Sequence, residues 1–366
     1  MDDLRFPVVN NDVEIGFNFL PPLDEGGTKD YSDESWFVRI LRVKIYIAVA
    51  ATILLSSYAL YVRYANRSSV VYSTSEEEMR GKTILVTANP TGIGLEAALD
   101  LARRGGRVIL ACSEIKEAQV MAASSDTFQK GGVILARKLN ISSLREVRKF
   151  AADFLKTEKR LDALLLAANL GGSDTKHVTD EGLELTMAAN HYGHFLLANL
   201  LLDILKTSSP SRVVIMASSA HSLLTSVNPK DLNFETIVYG ALRAYAQSMA
   251  CNLLMANNLA HMMLELGVTV NSMCPGMIQS QPYIRGNGLI TKIYLILLNV
   301  ATRTAEEGAQ TLIHLAVSED GAKHTGAFFV DCKERNMTPL GKNHGLAKKI
   351  WERCEEIVGL NQRKDK

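Results

Sequence analysis

The sequence predicts an α/β protein: one doubly wound domain built on a parallel sheet of about seven strands, preceded by one transmembrane helix. Three observations predict it. From Gly81 onward, short apolar runs rich in β-branched residues alternate with helical stretches. The first of those runs leads straight into a turn that holds Gly92 and Gly94. Ahead of them, Ile45–Val62 runs for 18 residues without a charge. Alternating strands and helices whose strands are apolar throughout imply a parallel sheet covered on both faces.

Taken in order, residues 1–38 combine nine acidic side chains with Arg5 and Lys29, a net −7 that leaves +8 on the remainder of a chain whose total is +1. They include Pro7, Pro21, Pro22, Gly26 and Gly27 and show no sustained periodicity. An acidic flexible tail is expected, suited to recruiting a protein partner. Segment 40–64 is the expected membrane anchor. As a helix its uncharged part spans about 27 Å, and Ile40 and Leu41 extend it. Trp36, Phe37, Tyr58, Tyr61 and Tyr64 lie near its ends, where amphipathic rings favour the interface. A helix packed in a core rarely stays apolar on every face, and the run lies too far inside the chain for a cleaved signal peptide. Arg39, Arg42 and Lys44 precede it while Arg63 and Arg67 follow, a slight excess that favours the front end in the cytosol. The five cysteines are scattered, odd in number and without metal or disulfide spacing, as befits buried thiols in a reducing compartment. They favour the domain itself on the cytosolic side. The expectation adopted is a single-pass protein of the endoplasmic reticulum or another internal membrane, with its domain facing the cytosol. Residues 65–80, with Glu76, Glu77 and Glu78, are expected to be a polar linker.

The domain is expected over 81–366. At 47% hydrophobic and 22% charged residues the chain can bury a full core. No dense basic stripe marks a nucleic-acid surface. Strands are expected at Thr83–Thr87, Val108–Cys112, Gly132–Leu139, Ala163–Ala168, Arg212–Ala217, Val268–Met273 and Gly326–Val330. Helices are expected at Leu95–Arg104, Leu144–Thr157, Glu181–Thr207, Ala241–Glu265, Thr304–Ser318 and, closing the domain, Leu346–Val358. The first strand enters Thr87-Ala88-Asn89-Pro90-Thr91-Gly92-Ile93-Gly94. Glycines at such a strand–helix turn let the backbone approach a pyrophosphate, and the helix N-terminus favours the anion.

Further stretches make a specific pattern: Asn190-His191-Tyr192-Gly193-His194-Phe195-Leu196-Leu197, Ala217-Ser218-Ser219-Ala220-His221, Cys274-Pro275-Gly276, Thr304-Ala305-Glu306-Glu307-Gly308-Ala309-Gln310, and Phe328-Phe329-Val330-Asp331-Cys332-Lys333. On these residues the chain from Gly81 to about Leu360 resembles a short-chain dehydrogenase/reductase, and within that superfamily the membrane-associated retinol dehydrogenases. The resemblance implies a Rossmann-type fold and an NADP cofactor, and a lipophilic alcohol or carbonyl as substrate. It assigns cofactor contacts to Thr87, Thr91, Gly92, Ile93, Gly94, Ser113, Asn140, Ala168, Pro275 and Gly276. It gives Ser219 the substrate oxygen, Tyr245 the proton, and Asn190 a water held through a helix kink.

Several positions depart from that pattern. Ala88 replaces the first glycine of the family's Thr-Gly-x-x-x-Gly-x-Gly loop, at a cost of roughly 1–2 kcal/mol if positive φ is required. Pro90 removes one backbone donor. Where Ser113 stands, members selecting NADP carry an arginine, and near Cys112 members selecting NAD carry an acid; neither group is present. Asn140 replaces the aspartate that contacts adenine, and Leu166-Ala167-Ala168-Asn169 replaces Asn-Asn-Ala-Gly. Most telling, Met249 stands four residues after Tyr245, on the same helical face, where the family has the lysine that holds the nicotinamide ribose and stabilises tyrosinate. Ionising a phenol near neutrality costs about 4 kcal/mol, and a thioether supplies none of it. Arg243 lies about 200° around the helix from Tyr245; Tyr239 and Arg243 form a rival i, i+4 pair. The expected cofactor binding is weak or absent.

His191, His194 and His221 invite a metal but fit helix packing better. Leu289–Val300 is apolar and falls where the family builds a substrate lid, with lipid contact and core packing equally open. The expected function is that of a catalytically impaired family member that binds lipid, nucleotide or a partner. An active oxidoreductase on retinoid, steroid or other lipophilic carbonyls is the first alternative. A membrane scaffold working through its acidic tail is the second.

Overall fold

The computed structural model describes residues 36–68, 71–73, 78–89, 92–123, 130–278, 284–285 and 302–361. Pro90, Thr91, the stretch Leu289–Val300 and all but the last three residues of the acidic tail lie outside them. The chain divides into two compact units, 1–55 and 56–366. Helix α1 (Trp36–Ser68) runs for 33 residues and contains the uncharged stretch. Ile47, Ile53, Leu54 and Tyr58 are exposed along it. Among the described residues no helix is long and apolar enough to cross a membrane; the side chains at 55, 59, 62 and 63 lie outside the description.

The second unit is built on a sheet whose strands are β1 (Thr83–Thr87), β2 (Arg107–Cys112), β3 (Val133–Lys138), β4 (Ala163–Leu166), β6 (Ser211–Met216), β7 (Val268–Cys274), β9 (Phe328–Val330) and β10 (Lys333–Arg335). They lie in the order β10-β9-β7-β6-β4-β1-β2-β3. A small second sheet pairs β5 (Gly172–Ser173) with β8 (Ile284–Arg285). The main sheet therefore has eight strands where about seven were expected. The additional one, β10, is the antiparallel partner of β9. Its sequence, Lys-Glu-Arg, is wholly exposed, and a short charged edge strand carries no apolar signal to find.

Alternation along the central strands sorts the core into two layers, because successive side chains of a strand point to opposite faces. Ile84, Val86, Val108 and Leu110 join one cluster with Ile93 and Leu95 of α2 (Ile93–Arg103) and Leu312 and Ile313 of α9 (Ala305–Val317). Leu85, Ile109, Leu164 and Val213 join the other, with α4 (Leu144–Thr157), α6 (Gly193–Leu200) and α8 (Ala241–Met263). Helix α4 shows how sequence sets this. Leu144, Val147, Phe150, Ala151 and Phe154 recur at helical spacing and are the residues it buries. At α9, the Thr304…Glu307 signature is a capping box: Thr304 Oγ1 accepts from the Glu307 amide at 3.1 Å, and Glu307 accepts from the Thr304 amide at 2.9 Å. The remaining helices are α3 (Ile115–Ala123), α5 (Leu185–Met187), α7 (Leu202–Thr207), α10 (Glu319–Lys323) and α11 (His344–Ile357).

The helix expected over Glu181–Thr207 is instead broken into pieces. It begins late because the buried Glu184 side chain caps it, accepting from the amides of Thr186 at 2.9 Å and Met187 at 2.7 Å. It then widens into a π-helical turn at Ala188–Tyr192 before α6. That widening sits in the middle of the candidate site.

Candidate active site

Strand β1 pairs with β2 on one side and β4 on the other, so chain order reverses between β1 and β4. In open α/β sheets ligands bind beyond the strand ends at such a switch point. Thr87, the last residue of β1, is committed to the fold. Its Oγ1 accepts from the amides of Ala167 at 3.0 Å and Ala168 at 3.3 Å, and lies 2.9 Å from His194 Nε2. His194 Nδ1 lies 3.0 Å from the Asn190 carbonyl. A carbonyl only accepts, so Nδ1 carries the proton and Nε2 takes the threonine hydroxyl. Burial pushes this ring down to about 4, which keeps it neutral.

Gly92 precedes α2 with φ 127°, in the left-handed half of the map, and caps the helix without a side chain. A Cβ on Gly94 would come within 2.7 Å of the Ala88 methyl, so the helix start packs directly on that methyl. Ala88 itself is not among the positive-φ residues of the chain. The backbone strain expected of it is therefore not incurred, because the strand continues in ordinary geometry through the Ala88 amide, which donates to Ala111 at 2.9 Å. Ile93 is buried in the core. Ser113 and Asn140 are exposed at the ends of β2 and β3; Asn140 Oδ1 accepts from the Ser142 amide at 3.2 Å and hydroxyl at 2.8 Å. Both line a cavity of about 270 Å³ with Ala88, Ala168 and Asn169. Pro275 is buried and Gly276 adopts φ 80°, leaving room for the guanidinium of Arg303.

Asn190 lies in the π turn and is completely buried. Its amide group clamps the loop after β4, donating to Leu170 O at 2.9 Å and accepting from Leu170 N at 2.7 Å. The same Nδ2 donates to Ser248 Oγ at 3.0 Å, and Ser248 donates to Tyr245 O at 2.8 Å. The Asn190 carbonyl takes His194 Nδ1 and, at 3.0 Å, Asn252 Nδ2. Both lone pairs of this carbonyl oxygen are thus engaged by protein donors, on the residue to which the resemblance gives a water. Tyr245 is buried at 2% exposure on α8, and its hydroxyl receives Asn169 Nδ2 at 3.2 Å. Met249, one turn further along, is completely buried. Ser219 opens a 3-10 turn against which α8 packs. Its Oγ lies 3.2 Å from Cys274 Sγ, which also accepts from the Ser219 amide at 3.4 Å.

Sequence reasoning missed Asn169, Asn252, Ser248 and Cys274. Asn169 carried a signal, since it stands where the family has glycine; the others are ordinary polar residues until the fold brings them together. The histidines are explained without metal. His191 Nδ1 donates to Asn252 Oδ1 at 3.0 Å and its Nε2 lies 3.2 Å from the Cys354 thiol. His221 Nδ1 bonds Ser218 O at 2.6 Å, and its ring meets Phe328 edge-on at 5.5 Å. Among the described residues no group of acids, histidines and cysteines is arranged to hold a metal. All five cysteines are free and buried. In the rival pair, Arg243 is exposed while the Tyr239 ring packs edge-on against Phe234 at 5.5 Å.

A doubly wound, mainly parallel sheet whose first strand leads into a glycine-started helix is the architecture of a Rossmann-type protein. Comparison with known proteins agrees. The short chain dehydrogenase family model matches residues 82–284. Human retinol dehydrogenase 13 is 34% identical over 291 residues, covering 78% of this chain and 87% of that protein. Human retinol dehydrogenase 11 is 35% identical over 287 residues, covering 78% and 89%. Among solved structures, a protein of unknown function from Mycobacterium paratuberculosis superimposes with a TM-score of 0.63 at 23% identity, over 79% of this chain and 97% of that one. The RhlG/NADP active-site complex of Pseudomonas aeruginosa gives 0.52 at 24% identity, over 69% and 95%. The chain belongs to the short-chain dehydrogenase/reductase family, in its retinol dehydrogenase-like branch.

Against the nicotinamide dinucleotide that the family implies, these residues fit one half. The adenosine end would be held by the cavity beside Ser113 and Asn140. The nicotinamide end would have to contend with the Asn169 amide on Tyr245 and, at Met249, a side chain without charge.

Proposed function

We propose that this chain is a membrane-anchored retinol dehydrogenase-like protein that has given up hydride transfer and acts by binding. The observation that carries the reading is the buried Met249 one turn from Tyr245. A phenol ordinarily ionises near pH 10, and a neighbouring ammonium supplies much of the roughly 4 kcal/mol needed to shift it to neutrality. Met249 supplies no charge, and Asn169 contributes a neutral amide donor in its place. The test is reduction of a retinal-like aldehyde with NADPH by the full-length protein in detergent. Severely reduced turnover is expected. A rate on the order of 1 s⁻¹ or more, ordinary for an enzyme, would sink the proposal.

A working NADP-dependent oxidoreductase on lipophilic carbonyls is the second reading. It is favoured by the retention of Ser219, Tyr245 and Asn190 and by the names of the relatives. The anchor is proposed at 40–64, supported by the 33-residue α1 and the apolar side chains exposed along it. The proposed location is the endoplasmic reticulum or another internal membrane with the domain in the cytosol. Asn66-Arg67-Ser68 offers the check, since glycosylation at Asn66 would place that end in a lumen. A scaffold role through residues 1–38 predicts that deleting them abolishes partner recovery, while changes at Ser219 and Tyr245 leave it intact.

A further inference from the structure

Two asparagines link the ends of β1 and β4 to the tyrosine helix. Asn89, two residues past β1, donates from Nδ2 to the carbonyl of Asn169 at 2.7 Å. Asn169, three residues past β4, donates from its own Nδ2 to the Tyr245 hydroxyl at 3.2 Å. These two strands flank the switch point, where a dinucleotide lies across the sheet. A chain of two asparagines thus runs from the phosphate-loop side to the tyrosine helix, along the line such a ligand would follow.

Asn89 and Asn169 also form part of the wall of the cavity of about 270 Å³. Its other walls are largely apolar, with Ala111, Leu139, Ile141 and Leu170 among them. Its volume falls below the roughly 300–1,000 Å³ typical of a site that encloses a whole drug-sized ligand. Among the described residues no charged side chain lines it. It opens at Ser113, just past β2, where the adenine-side ribose is recognised in this type of sheet. Asn140 spends its Oδ1 on Ser142, which leaves its amide N–H₂ as the group to offer a base.

We propose that this cavity takes an adenine nucleoside as its whole ligand, and that Asn169, by bridging Asn89 and Tyr245, shuts out the nicotinamide half of a dinucleotide. Flat apolar walls suit the purine, while Ser113 and Asn140 meet its polar edge and ribose hydroxyls. A 2′-phosphate finds no side-chain cation in that lining. A nicotinamide ribose would have to displace the Asn169 amide from Tyr245, and would find a thioether at Met249 in return. The proposal rests on the reading that the site binds rather than turns over, and names what it binds.

The test is calorimetric titration of the full-length protein in detergent with adenosine, NADH and NADPH. The unmodified protein should bind adenosine, and should bind neither dinucleotide more tightly than adenosine. Asn169→Gly should strengthen both dinucleotides by about tenfold or more relative to adenosine. Asn89→Ala, which cuts the tie from its other end, should move in the same direction. Saturation-transfer NMR on the unmodified protein with NADH should reach the adenine protons and spare the nicotinamide protons, a readout that needs no variant to fold. Failure of adenosine to bind overturns the proposal. So does a dinucleotide that binds tenfold more tightly than adenosine to the unmodified protein, or nicotinamide protons saturated as strongly as adenine protons. Tight dinucleotide binding without aldehyde reduction would end this inference alone; aldehyde reduction would end the functional reading.

Discussion

At Met249 one side chain bears on chemistry and stability together. It is completely buried, so a lysine placed there must lose its hydration or find a partner. Met249→Lys is therefore expected to lower stability by about 2–4 kcal/mol, the range for burying an ill-paired polar group, and to restore some aldehyde reduction when Asn169→Gly accompanies it. Thermal melts and the aldehyde assay on the same sample check both. Met249→Leu, which conserves volume, should cost less than about 1.5 kcal/mol. Its position opposite Tyr245 was legible from i, i+4 spacing alone. The consequence of Ala88 was not. Whether that residue needs positive φ depends on how the strand leaves the sheet, and Ala88 leaves it without positive φ, its amide still bonded to Ala111. Asn169 was legible as a departure from pattern, but nothing in its neighbours says that its amide reaches Tyr245, 76 residues away.

The π turn at Ala188–Tyr192 joins the site to the core through two neutral histidines. Burial pushes both His191 and His194 down to about 4 from an ordinary 6.5. Between those values the unfolded chain binds protons that the folded one refuses. Stability is therefore complete above about pH 6.5 and falls as pH drops toward 4, by about 3 kcal/mol for the first ring to protonate. Glu158, Asp162 and Asp231 are held below the usual carboxylate range by their hydrogen-bond and ion partners, so the stability they add is lost only at lower pH. Urea midpoints at pH 7 and pH 4.5 test this; His191→Asn should flatten the fall, and a midpoint that does not change with pH would contradict the assignment. Asn252 ties this turn to the sheet by donating to the Asn190 and Met216 carbonyls, at 3.0 and 2.9 Å. Asn252→Ala leaves these buried groups unmatched and should cost about 2–3 kcal/mol in denaturant melts. Helix over this stretch was legible from its apolar content. A kink at Asn190 was implied by the resemblance, but its π form was not legible, because it goes with distant groups such as Asn252 bonding the Asn190 carbonyl.

For the molecule as a whole, contacts ahead of β1 extend the folded body beyond the repeating strands. Before β1, Met79 is 6% exposed and packs in the core, and its amide bonds Arg104 O at 2.9 Å. Further out, the Ser73 amide donates to Gln310 at 3.1 Å and the Cys332 thiol meets Val71 O at 3.3 Å. A fragment from residue 71 should therefore be more stable than one from residue 81 by about 2–3 kcal/mol, the scale of one buried methionine; parallel urea melts decide it. At the far end, Asp331 and Cys332 turn the β9–β10 hairpin with φ of 55° each, a geometry that ordinarily favours Asn and Gly. Arg303 holds the turn through an ion pair to Asp331 at 2.5 Å, the two side chains being 7% and 13% exposed. Asp331→Ala leaves a buried guanidinium without this partner and should cost about 3 kcal/mol in thermal melts.

The linear order of residues by itself determined the alternating strands, the phosphate-type turn, the family and the absence of lysine beside Tyr245, because each depends on spacing within one strand, one turn or one helix. The three-dimensional packing alone decided that Ala88 is unstrained, that the Asn190 carbonyl is occupied by protein donors, and that Asn89 and Asn169 tie β1 to the tyrosine helix. Those outcomes depend on hydrogen bonds between groups 23 to 80 positions apart, which form only when the sheet has set its neighbours in place.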